Sequence, residues 1–293
     1  MAQSASSPSR PRPGGARVTA LRTAFRTVGA VAPGVAARWA ESIFCRPPRQ
    51  EARPHEEAFL ATGRPRTFGT SRAPLHGWEW GEGPLVVLVH GWGSRAGRWA
   101  GLAPLLLARG FRVVTYDAPA HGRTPGRLAS LPEFADALQE VIAATGPAHG
   151  VVGHSLGGAA IAVALGRGLP AERAVLIAAP AHPEGFADRF AEVLAIPPLV
   201  RATMQRNLEE RLRFRWSDLH IPTISRGLGT PALIVHDDAD ADVPVAEAQA
   251  IAGAWPGAEL HLTSGLGHRA IIRDPAVLAR AAAFLSIGVP VRG

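Results

Sequence analysis

Ser155 sits in Gly153-His154-Ser155-Leu156-Gly157, with Gly158 directly after it. A short apolar run, Val151-Val152, leads in from Gly150, and Ala159 to Leu165 follows as an apolar stretch of helical length. Strand, sharp turn bearing a serine, then helix is the context in which a G-x-S-x-G pentapeptide presents a nucleophilic hydroxyl. The turn strains the serine backbone and leaves no room for a side chain two positions to either side. Gly153 and Gly157 stand at those two positions, and Gly158 lets the helix approach the sheet. Taken alone, the pentapeptide also reads as an ordinary glycine-rich loop.

A serine hydroxyl near neutral pH needs a base, and the base needs a group that orients it. Two later stretches contain the required residue types. The apolar run Ala232 to His236 opens into Asp237-Asp238-Ala239-Asp240-Ala241-Asp242-Val243-Pro244, with Pro244 near the first turn of the next helix. Leu260-His261-Leu262, a last strand, runs into Gly265-Leu266-Gly267-His268. Serine, then aspartate, then histidine is the chain order that accompanies an elbow serine. The acid loop lacks the glycine and closing glutamate of an EF-hand loop, so no metal is expected.

The elements between these stretches alternate. Leu85 to Val89 and Ala174 to Ala178 are continuously apolar, as in parallel strands covered on both faces, and Phe111 to Tyr116 reads as another strand. Helices are expected over Leu102 to Ala108 and Pro132 to Ala144. Short alternating runs near Phe68 and at His76 to Trp80 predict an antiparallel hairpin at a sheet edge. The whole pattern is that of a doubly wound, mostly parallel α/β sheet. Between Ala181 and Thr230 the strands stop, and helical segments at about 183–195 and 199–213 replace them. They form a small cap inserted before the acid-bearing strand, at the sheet edge where ligands bind. Seven arginines face six acidic residues there, so Arg201, Arg206 and Arg211 read as a solvated helix face.

Composition narrows the chemistry. All 31 basic residues are arginine, which excludes lysine Schiff bases, pyridoxal phosphate anchoring and a P-loop lysine. Cys45 is the single cysteine, so no intrachain disulfide forms and its expected role is apolar packing. Residues 1–66 carry 11 arginines against 4 acidic residues, which equals the net charge of +7; the remainder holds 20 of each. A neutral body with a basic leader is not a nucleic-acid-binding face. Residues 1–16 are expected to be disordered. From Arg17, Val18, Leu21, Phe25 and Val28 recur at helical spacing among Arg17, Arg22 and Arg26, with a break near Pro33-Gly34 and a second segment through Phe44. Docking of this stripe on the domain is the first reading. Peripheral contact with an anionic membrane stays open beside it, and a signal peptide is a weaker third.

Five motifs now stand in order: His90-Gly91-Trp92, Asp117 to Gly122 as Asp-x-Pro-x-His-Gly, the elbow, the acid loop closing in Val243-Pro244, and Gly267-His268. In these the chain resembles the α/β-hydrolase superfamily, from about Leu75 to Leu285. The resemblance implies Ser155 as nucleophile, His268 as base and Asp240 as acid, with Trp92 and Leu156 giving backbone N–H groups to an oxyanion hole. Asp240 is placed by its distance from Val243-Pro244, Asp242 is its rival, and Asp237 stands where the family often has glycine. The implied domain plan is a disordered leader over 1–16, a basic helical segment and linker over 17–66, and the hydrolase domain over 67–290 with its cap at about 181–230.

The implied activity is cofactor-independent cleavage of a small-molecule carboxylic ester or thioester through an acyl-enzyme, in the cytoplasm. Acyl transfer, perhydrolysis and C–C bond hydrolysis run on the same constellation, and a non-catalytic binding protein of this fold is the outside alternative. His90, His121 and His154 are expected to pack or hydrogen-bond rather than catalyse, and Asp117 to cap its turn. Trp92, Trp99, Phe111 and Leu266 are candidates for an acyl pocket, equally readable as core.

Overall fold

The computed structural model describes residues 13–69 and 74–289. Three helices come first: α1 (Pro13–Val31), α2 (Pro33–Phe44) and α3 (Pro54–Ala61). Strands β1 (Arg64–Phe68), β2 (Leu75–Trp80) and β3 (Leu85–Val89) follow, then α4 (Ala103–Leu107), β4 (Arg112–Tyr116), α5 (Leu131–Thr145) and β5 (Ala148–His154). Next are α6 (Leu156–Gly166), β6 (Ala171–Ile177) and three helices without a strand, α7 (Glu184–Leu194), α8 (Pro198–Leu212) and α9 (Ile221–Ser225). The chain closes through β7 (Ala232–Asp237), α10 (Val245–Ala254), β8 (Glu259–Thr263), α11 (Gly267–Ala270) and α12 (Pro275–Leu285).

The eight strands form one sheet in the order β1-β2-β4-β3-β5-β6-β7-β8. From β4 to β8 the pairing is parallel, whereas β1–β2 and β2–β4 are antiparallel. The expected hairpin is therefore present at the edge. Every residue of β3 and of β7 is buried, which is why β3 is apolar throughout and β7 is apolar from Ala232 to Val235, before it ends in the buried polar pair His236-Asp237. Helix α6 is buried from Gly157 through Leu165 and needs no polar face. The outer strand β8 alternates instead, leaving Leu260 and Leu262 exposed.

The chain divides into two compact units. The larger holds the sheet, with Cys45–Pro183 and everything from Arg215 onward; the smaller joins the stretch ending at Phe44 to Glu184–Phe214. These limits differ from the expected plan. Residues 45–66 go with the sheet, because β1 hydrogen-bonds to β2 and α3 packs on the turn at 96–101. Helix α9 also goes with the sheet, through α6 and α10, so the separate insertion is 184–214 rather than about 181–230. Helix α1 begins at Pro13, before the expected Arg17; of the leader expected to be disordered, residues 1–12 lie outside the described ones.

Within the smaller unit the apolar stripe of α1 is covered by protein. Phe25 is completely buried and stacks on Trp39 of α2, ring centroids 4.3 Å apart, with Leu21 and Val28 half-buried. The Arg22 Nε donates to the Val193 carbonyl of α7 at 2.8 Å, and Phe44 meets Phe190 at 5.3 Å. At Gly29 a Cβ would stand 3.0 Å from Pro197, so α1 runs close to the start of α8. Arg201 pairs with Asp188 and Arg211 with Glu41, each pair with one largely covered partner (Arg201 and Glu41), so Arg201 is less solvated than expected. No helix among the described residues is long and apolar enough to cross a membrane.

Candidate active site

All the residues singled out for chemistry lie in the sheet unit. Ser155 occupies the turn between β5 and α6 with φ 53° and ψ −123°, a left-handed position that costs on the order of 1–3 kcal/mol for a non-glycine residue. The surroundings enforce it. A Cβ at Gly157 would stand 2.4 Å from the Val89 carbonyl oxygen, and one at Gly153 would stand 2.5 Å from the Gly157 carbonyl. One at Gly158 would meet Ala179 at 2.8 Å. The three glycines let strand, turn and helix close up around the serine.

From this turn the Ser155 hydroxyl donates to His268 Nε2 at 2.9 Å, and His268 Nδ1–H donates to Asp240 Oδ2 at 2.7 Å. The acceptor at Nδ1 fixes the tautomer and leaves Nε2 free to receive a proton. Asp240 follows β7, and its side chain is fully buried. Its other oxygen accepts the backbone N–H groups of Asp242 (2.9 Å) and Val243 (2.8 Å). Burial pushes the Asp240 carboxyl up, but the hydrogen bonds from His268 and the backbone outweigh it and hold the group below the usual carboxylate range. Asp242 is exposed and gives its N–H to Asp240, so the structure brings Asp240 to the histidine.

The His90-Gly91-Trp92 turn lies against the elbow. A Cβ at Gly91 would be 3.0 Å from both the His154 carbonyl oxygen and the Ser155 Cβ. Neither Trp92 N–H nor Leu156 N–H has an acceptor among the described residues. The turn is held from behind by neutral histidines. His121 Nε2 accepts Gly93 N–H and His90 Nε2 accepts Ala118 N–H, both at 2.9 Å. Asp117 accepts Ala96 N–H and Arg123 N–H, tying the same two loops together. His154 Nε2–H donates to the His268 carbonyl at 2.9 Å. Burial lowers His90 to about 4 and His121 and His154 to about 3, so all three are uncharged at neutral pH.

Other candidates resolve differently. Trp99 and Phe111 are buried in the hydrophobic core, and Leu266 packs partly buried against it. Trp92 stays half-exposed beside the site, edge-on to His121 at 5.4 Å. Cys45 is buried. Among the described residues no group of three or more His, Cys, Asp or Glu is placed to hold a metal ion. Two residues gained no role from the sequence. His236 is fully buried, donates to the Val243 carbonyl at 2.9 Å and lies 3.5 Å from Asp240 Oδ2. Asp237 is fully buried at the end of β7, and its only sequence signal was a carboxylate in place of a common glycine.

The Alpha/beta hydrolase family model matches residues 86–281. The pimeloyl-(acyl-carrier protein) methyl ester esterase of Methylococcus capsulatus is 49% identical over 79 residues, 26% of this chain and 29% of that protein. The chain thus matches less than a third of that relative's length. Among solved structures, the esterase Pf2001 of Pyrococcus furiosus superposes with a TM-score of 0.63 at 20% identity, covering 83% of this chain and 98% of the other. The carboxylesterase CesB (YbfK) of Bacillus subtilis gives 0.60 at 19%, covering 80% and 97%. At those identities the likeness concerns the fold. With the family model spanning β3 to α12 and the eight-stranded sheet in place, the chain belongs to the alpha/beta hydrolase family.

Proposed function

We propose that the protein is a serine hydrolase that cleaves a carboxylic ester or thioester through an acyl-enzyme on Ser155, without a cofactor. The observation that carries this reading is the continuous chain of hydrogen bonds from Ser155 Oγ through His268 to the buried Asp240. Relatives and structural neighbours named as esterases point the same way. His268 Nε2 takes the hydroxyl proton as Ser155 Oγ attacks the acyl carbon, and the carbonyl electron pair moves onto oxygen. Trp92 N–H and Leu156 N–H receive that oxyanion, each donor worth on the order of 3 kcal/mol of barrier. Collapse breaks the bond to the leaving group, which departs with the proton from His268. Water then attacks the acyl-enzyme, giving its proton to His268. The second collapse releases the carboxylic acid and returns the proton to Ser155. Asp240 holds the imidazole in the required tautomer throughout.

A phosphonofluoridate probe tests this directly. Wild type should take up one label, on Ser155, and Ser155→Ala should take up none while keeping its fold. Turnover of p-nitrophenyl esters or acyl thioesters by Ser155→Ala at the wild-type rate would refute the mechanism. The same panel, with acyl chains of rising length, defines the acyl group and leaving group.

A further inference from the structure

Asp237 stands at the point where the acid loop and the histidine loop leave the sheet. Its carboxylate is fully buried and has no cationic partner among the described residues. Four donors satisfy it instead. Oδ1 accepts Ala239 N–H at 3.0 Å and Gly267 N–H at 2.8 Å; Oδ2 accepts the Thr263 hydroxyl at 2.7 Å and Leu266 N–H at 3.1 Å. The placement of those donors is informative. Ala239 immediately precedes Asp240, and Gly267 immediately precedes His268. One oxygen atom therefore clamps the residue before the acid to the residue before the base. Gly267 is in a left-handed conformation, φ 65°, which turns its N–H toward β7 as the chain enters α11. A glycine at 237 would leave three backbone N–H groups and one hydroxyl without that acceptor, and nothing else would tie the two loops together at this point.

We infer that Asp237 is a positioning residue for the His268–Asp240 pair, setting the relative placement of the two loops by accepting from both. The inference rests on the proposed roles of Ser155, His268 and Asp240. Asparagine has the same shape but only one acceptor oxygen. With its oxygen toward Ala239 and Gly267 the amide keeps both of those bonds, its NH2 group donates to the Thr263 hydroxyl, and only Leu266 N–H loses its acceptor, whereas alanine removes both acceptor oxygens. With alanine at 237 the clamp cannot be remade, and His268 is displaced relative to Ser155. Displacement of a reacting group by about 1 Å can cost roughly 100-fold in rate.

The test uses the full chain. Rates are normalised to sites titrated by the phosphonofluoridate probe, which removes losses through misfolding. Asp237→Ala is expected to lower kcat by about 10- to 100-fold with KM within about twofold, and to slow labelling of Ser155 by a similar factor, whereas Asp237→Asn, which keeps an acceptor for Ala239 and Gly267, should lose less. The low-field proton resonance of His268 Nδ1–H should shift or broaden, which a purely structural weakening elsewhere would not cause. Thr263→Val, which removes one donor, should slow labelling several-fold, and Thr263→Ser should restore it. Wild-type labelling and an unchanged proton resonance in folded Asp237→Ala would overturn the inference. If that variant does not fold, wild-type labelling of Thr263→Val overturns it instead. Failure of wild type itself to label refutes the proposed mechanism, a separate outcome.

Discussion

Replacement of Asp240 by asparagine is the sharpest test of how the site works. The change keeps the shape of a fully buried side chain. The asparagine oxygen can still accept Asp242 N–H and Val243 N–H, now at 2.9 and 2.8 Å from Asp240 Oδ1, which directs the NH2 group to the position of Oδ2. That position is 2.7 Å from His268 Nδ1, where two donors would face each other. The conflict is relieved when the imidazole moves its proton from Nδ1 to Nε2. Nε2–H then points at Ser155 Oγ, 2.9 Å away, and can no longer take the serine proton. The expected loss is about 10⁴-fold in kcat, the penalty of a wrong tautomer, or roughly 5.5 kcal/mol of barrier. Burst kinetics with a p-nitrophenyl ester should show acylation, not deacylation alone, slowed by that factor. Circular dichroism should be unchanged, because both backbone hydrogen bonds survive. An Asp240→Asn variant within about tenfold of wild type, with Asp242→Asn inactive, would refute the reasoning and transfer the acid role to Asp242.

Two further expectations concern stability. His90, His121 and His154 are held at about 4, 3 and 3 in the folded chain, below the unfolded value near 6.5. As pH falls from 6.5 toward 4 the unfolded chain binds protons that the folded chain refuses, so stability drops by up to about 1.4 kcal/mol per pH unit for each histidine. Urea midpoints should therefore fall steadily between pH 7 and pH 4.5, and a flat profile would contradict the assignment. Phe25→Ala removes a completely buried ring stacked on Trp39, which should cost about 3–5 kcal/mol in the smaller unit, read as an early thermal transition. Wild type should not sediment with anionic vesicles in a salt-reversible way, because the stripe that membrane binding would need is already covered.

Much of the site was legible in the sequence because its strongest constraints are local. An elbow serine demands glycine two positions away on either side, and the clashes at Gly153 and Gly157 show why: the neighbours of each absent Cβ are backbone atoms within a few residues or on the adjoining strand. Strand β3 and the Ala232 to Val235 part of β7 were readable for a similar reason, since a strand covered on both faces is mostly apolar. Chain order placed the acid and the base after the serine.

What only the tertiary structure decided are matters of partnership across distance. The choice between Asp240 and Asp242 depends on which carboxylate the turn after β7 directs inward, 28 residues from the histidine it meets. Trp99 and Phe111 were equally readable as pocket or core until the sheet and its helices enclosed them. Helix α1 announced an apolar stripe, but periodicity says that a face is buried and not what covers it; α2, α7 and α8 do so here. Asp237 is the extreme case. Its four donors come from residues 239, 263, 266 and 267 and converge only because β7 and β8 pair in one register, Asp237 opposite Thr263. Sequence carries side-chain chemistry and local sterics, whereas the meeting of two loops is set by the register of the strands that deliver them.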